Sequence, residues 1–158
     1  LWNNHLNVND LINDFFTKYY KDASPWVYKY FDEYRQWFNI IQKQYSLITG
    51  GIYARFDSVP NAFPLAVVER WEKYLENAKA EIEYIKDINL ELYNELYRRI
   101  DKETLFFDYV KIFNLGSEFS DDELRELRIN FKAKCQLHDI NQLDEGGSLE
   151  SIYKSWGI

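Results

Sequence analysis

The chain has 158 residues, 46% of them hydrophobic and 18% aromatic, which is enough apolar material to bury the core of one domain. A formal charge of -7 and a pI near 4.9 argue against nucleic acid as a partner, because a phosphate groove needs clustered Lys and Arg and here the bases are interleaved with acids. No apolar run approaches the about 20 residues that a bilayer-spanning helix requires, so no membrane span is expected.

The segment "NVNDLINDFFTKYY" predicts a short helix, with Val8, Leu11, Ile12, Phe15, Phe16 and Tyr19 expected to face inward. Ser24 is placed to cap a long helix and Pro25 to occupy its first turn, where a missing N–H costs nothing. Trp26, Tyr30, Tyr34, Trp37, Ile41, Tyr45 and Ile48 follow at steps of three and four and lay one stripe along that helix, which Gly50 and Gly51 stop. A connecting loop, "GGIYARFDSVPNAFP", leads to a second long helix over about 64–86, striped by Val68, Trp71, Leu75, Ala78, Ile82 and Ile85. A third is expected from Leu90 to Leu115, through Leu92, Leu96, Ile100, Phe107, Val110 and Phe113, with a weak middle at "RRIDKETLFF". Ser120 and Glu123 have capping-box spacing and start a fourth helix carrying Leu124, Leu127, Phe131 and Cys135. Ser148 caps a last short helix with Ile152, Tyr153 and Trp156. The expected fold is all-α, an antiparallel bundle of three to four long helices with short terminal helices, in one domain over residues 1–158.

The chemistry-bearing residues favour structure over catalysis. Gly50/Gly51 and Gly146/Gly147 lack the spacing and the preceding strand of a phosphate loop. Zinc needs several Cys or His ligands, and His5, His138 and the single Cys135 are the whole supply, so no metal or cofactor is expected. Cys135 and His138 stand one helical turn apart, a spacing open to a nucleophile and base but read here as a core-facing thiol beside a partly exposed histidine. No histidine has a Glu three positions before it, which excludes the Glu-x-x-His pattern of two-iron bundles. The carboxylate pairs Asp32/Glu33, Glu81/Glu83 and Asp121/Asp122/Glu123 fit solvated helix faces and caps. Trp26, Trp37 and Trp71 fall on core stripes, whereas Trp2 and Trp156 near the ends suit a neighbouring surface. Surplus hydroxyls on Tyr19, Tyr20, Tyr28 and Tyr30 suggest a wet boundary along part of the aromatic wall. One cysteine makes no internal disulfide, and the chain contains no methionine and starts at Leu1, so a C-terminal piece of a larger protein is expected.

The segment "LWNNHLNVNDLINDFFTKYYKDASPWVYKYFDEY", together with "YNELYRRIDKE" and "DEGGSLE", resembles the helical C-terminal region of a bacterial family of uncharacterised, glycoside-hydrolase-like proteins. Lys21 departs from the glycine expected after the Tyr pair. The resemblance implies an upstream barrel of the kind found in β-hexosaminidases and α-glucuronidases, with the catalytic carboxylates in the barrel, so no catalytic residue is assigned in this chain. It implies a non-catalytic accessory domain that packs on the barrel or shapes its rim, in a carbohydrate-active protein often found outside the cytoplasm. The candidate interdomain or ligand contacts are Trp2, His5, Tyr19, Tyr20, Asp144 and Glu145. The alternative is an autonomous helical module that binds carbohydrate or another protein through its Tyr-rich surface.

Overall fold

The structure is a computed structural model that describes residues 7–44, 62–142 and 147–158. The described chain is all-α, and its helices are α1 (Val8–Tyr20), α2 (Ser24–Gln44), α3 (Leu65–Glu81), α4 (Ile85–Ile88), α5 (Leu90–Glu103), α6 (Leu105–Phe113), α7 (Asp121–Leu137) and α8 (Leu149–Trp156). A lone antiparallel bridge joins Gln142 and Ser148. The residues group into two compact units, the first holding 7–44 and 70–101 and the second 62–69, 102–142 and 147–158.

In the first unit α1 folds back on α2 through a tight turn at Lys21–Ala23. Phe16 reaches across this corner to Tyr28 and Phe31, with ring centroids 5.3 and 5.0 Å away, and Tyr20 is buried beside it. Ser24 already has helical dihedrals, so the chain enters α2 through the turn and not through the expected Ser24 cap. The turn places Lys21 at φ 51° and ψ −127°, a conformation that a residue with a Cβ adopts only under strain. Lys21→Gly is therefore expected to stabilise the protein by about 1 kcal/mol, the relieved strain exceeding the extra entropy glycine gives the unfolded chain. A thermal midpoint that falls in this variant would show that the lysine is at ease there.

The stripe expected on the second long helix is fully inside, since Val68, Trp71, Leu75, Ala78, Ile82 and Ile85 are all buried. The helix itself stops at Glu81, where bonds from Ile82 N to Lys79 O (3.3 Å) and from Glu83 N to Ala80 O (3.2 Å) tighten the last turn and lead into α4. Glu33 ties α2 to this helix: it accepts from Arg70 Nε (3.0 Å), Trp71 Nε1 (3.3 Å) and the Tyr74 hydroxyl (2.8 Å). Burial pushes the Glu33 pKa up, but the Tyr74 and Arg70 contacts, with Trp71, outweigh it and hold the carboxyl below its ordinary value.

Asn89 serves two helices at once. Its N–H bonds Ile85 O at 2.7 Å and closes α4, while its side-chain oxygen accepts from Leu92 N at 3.0 Å and its carbonyl from Tyr93 N at 3.0 Å to open α5. The expected single helix from Leu90 to Leu115 is two helices, broken at Thr104. The reason is the phase of the buried residues. Leu96 and Ile100 are four apart, but Leu105 and Phe107 follow at five and two, so one straight helix cannot bury them all. Phe113, expected inside, is exposed. Asp101 near the end of α5 is buried and accepts from Lys79 Nζ at 2.6 Å.

The second unit packs α6, α7 and α8 around Leu105, Ile112, Phe131, Cys135, Leu149 and Tyr153. Ser120 and Glu123 complete the capping box read from their spacing, with Glu123 Oε2 accepting from Ser120 N at 2.8 Å. The Ser120 hydroxyl and amide together hold the Glu123 carboxyl below its ordinary pKa. Lys134 of α7 reaches across to α6, donating to the buried Asp108 at 2.7 Å and to Thr104 Oγ1 at 3.0 Å. Ser148 occupies the N-cap position of α8, although its side chain makes no capping bond.

Candidate functional site

The largest departure from expectation is on α1. Phe16 and Tyr20 take the inner face, and the row Val8, Leu11, Phe15 and Tyr19, read as inward, is 65, 47, 52 and 37% exposed. A helix that crosses α2 at one seam buries only one row, so the second apolar row is left outside. It recurs at steps of three, four and four, the spacing of a helix-packing seam.

Arg99 of α5 walls one side of this row. Its guanidinium lies 4.0 Å from the Tyr19 ring centroid and donates to the Tyr19 carbonyl oxygen and to Glu95. Asp14 and Lys18, paired at 2.7 Å, stand beside the same row. Leu11, Asp14, Phe15, Lys18, Tyr19 and Arg99 enclose a shallow groove of about 350 Å³ within the first unit. Phe15 stacks on Tyr19 at 5.1 Å and 16°. Phe15 and the Arg99 guanidinium both lie against the Tyr19 ring, so part of its π surface is already engaged within the protein. The groove thus presents apolar edges flanked by charges that already have partners, a surface suited to burial against another apolar surface and with no group poised for acid–base work.

Of the residues singled out from sequence, Tyr19 lies in this groove and Tyr20 is turned into the core. Trp2, His5, Asp144 and Glu145 lie outside the described residues, as do Tyr45, Ile48, Gly50, Gly51 and Gly146. Arg99, Leu11, Phe15, Asp14 and Lys18 were not singled out as contacts. Arg99 sits 80 positions from the carbonyl it binds, and nothing local in the sequence signals that meeting.

The remaining candidates are absorbed by structure. Cys135 and His138 are both buried, where His138 was expected to be partly exposed. Burial raises the Cys135 thiol pKa, and the neighbouring Tyr153 hydroxyl, which makes no well-formed hydrogen bond, is raised as well, so the thiol is not an activated nucleophile. Beside it lies a pocket of about 240 Å³ lined by Leu105, Phe106, Tyr109, Phe131, Cys135, Ile140 and Gln142. Asp32 holds Arg35 and Gln36, each at 2.7 Å, and Glu83 holds Tyr93 at 3.0 Å and Lys86 at 3.3 Å. Trp71 is in the core, Trp26 packs near Tyr74 with centroids 6.3 Å apart, and Trp156 packs against Phe113 at 5.6 Å. Among the described residues no three His, Cys, Asp or Glu side chains converge on a metal position, and no helix is long and apolar enough to cross a membrane. No protein-family model, curated protein or solved structure matches this chain.

Proposed function

We propose that this chain is a non-catalytic helical accessory domain of a larger, glycoside-hydrolase-like, carbohydrate-active protein, and that it packs on an upstream barrel or shapes its rim. The observation that carries the reading is the outward apolar row of α1, where Val8, Leu11, Phe15 and Tyr19 stand exposed on one helix face. The family resemblance supplies the barrel as the neighbour. The contacts that Phe15 and Arg99 already make with the Tyr19 ring weigh against the alternative, a carbohydrate-binding module that stacks sugars on this part of the Tyr-rich surface.

Phe15→Asp in the native protein tests the reading. Phe15 is half exposed, so the unit keeps its fold, as the circular dichroism of the chain alone should show. Limited proteolysis between this domain and the rest is expected to accelerate by roughly tenfold, a charge on a buried apolar contact being worth more than 1.4 kcal/mol. An unchanged cleavage rate counts against an interdomain contact here. A saturable shift in tryptophan fluorescence on titrating the chain with a glycan panel would replace the proposal with the binding-module alternative.

A further inference from the structure

We infer that α7 and α8 carry a binding site for an acidic peptide segment, one in which carboxylates bracket an apolar side chain. The site belongs to the second unit and is independent of the α1 row. Arg125, Arg128 and Lys132 follow one another on α7 at steps of three and four, so they share one helical face. Ile129, 42% exposed, stands between Arg125 and Lys132 on that face. Two of the bases are held by rings of α8: the Arg128 guanidinium lies 5.3 Å from the Trp156 ring centroid, and Lys132 Nζ lies 5.1 Å from that of Tyr153.

These cations find no counter-charge within the protein. Lys134 of the same helix is taken by Asp108 and Lys154 of α8 by Glu150, but among the described residues no carboxylate forms an ion pair with Arg125, Arg128 or Lys132. Arg128 Nε is buried and has no acceptor, a state that few buried N–H groups occupy in a completed structure. The acids of α7 do not fill the gap. Glu123 and Glu126 line a separate hollow with Phe119, Leu127 and Asn130, and Asp121, one turn before Arg125, is not paired with it. A chain of formal charge -7 thus keeps one local positive strip, along which seven residues of helix set Arg125 and Lys132 roughly 10 Å apart.

The make-up of the strip narrows the ligand. Guanidinium groups match carboxylates with their planar fork. Ile129, and the 40% exposed Phe113 packed 5.6 Å from Trp156, add an apolar component that peptide side chains complement and the hydroxyls of a sugar chain do not. The acidity of the chain as a whole opposes nucleic acid.

Fluorescence anisotropy with the native protein tests the assignment, using a labelled peptide in which glutamate pairs bracket a leucine. A saturable rise is expected, weakening as salt is added, with the same peptide carrying glutamines in place of the glutamates at least about tenfold weaker. Arg125→Glu combined with Lys132→Glu is expected to weaken binding by about 100-fold while the circular dichroism stays unchanged. No saturable binding up to about 1 mM overturns the proposal, as does equal binding of the glutamine peptide or of the double variant. Displacement of the peptide by an oligogalacturonate that binds more tightly would reassign the strip to an acidic glycan.

Discussion

Trp71→Ala is expected to lower the unfolding free energy by about 3–5 kcal/mol, a large share of the total for a chain of this size. Trp71 is 0% exposed, with its ring 5.8 Å from those of both Tyr30 and Tyr34 and its N–H on Glu33. Alanine therefore removes the wedge between α2 and α3 and one of the donors that Glu33 accepts. Trp71→Phe keeps most of the ring volume and is expected to cost about 1–2 kcal/mol, so the pair separates packing from the hydrogen bond. Urea denaturation measures both. A midpoint lowered at constant slope supports the assignment, and a Trp71→Ala loss of under about 1 kcal/mol would mean that the indole is not a core element.

Lys134→Met is expected to cost about 2–3 kcal/mol at neutral pH. Methionine retains the apolar stem but takes the Lys134 ammonium away from Asp108, a 7% exposed carboxylate. The lysine side chain is 30% exposed, which places the loss below that of a fully buried pair. Asp108→Asn combined with Lys134→Met should be less damaging than Lys134→Met alone, because the double variant no longer buries a carboxylate that has lost the Lys134 ammonium. A double-mutant cycle with a coupling near zero would reduce the contact to a surface pairing of no consequence.

The parts of this fold visible in the sequence are those set by one dominant local cause. The stripe from Val68 to Ile85 could be read because every member is buried, so periodicity and burial coincide. The capping box at Ser120 and Glu123 could be read because both partners lie within one turn. On α1 the signal was present but pointed both ways: the adjacent pairs Leu11/Ile12, Phe15/Phe16 and Tyr19/Tyr20 fill two neighbouring rows, and periodicity does not say which row meets α2. The break at Thr104 showed only as a weak stretch, because its cause is the phase at which α6 must meet other helices. Arg99 at the groove is a meeting of distant segments that no short window contains.

Asn89 carries a consequence for how this chain can vary. One residue ends α4 and begins α5, its N–H, carbonyl and side chain all committed to helix ends. There is no spacer to lengthen, and a residue added or lost at this corner would uncap two helices and rotate α5 by about 100° relative to α4. Corners between helices are where insertions usually accumulate. Here the corner fixes chain length, so substitutions that spare Asn89 are tolerable and changes in residue count are not.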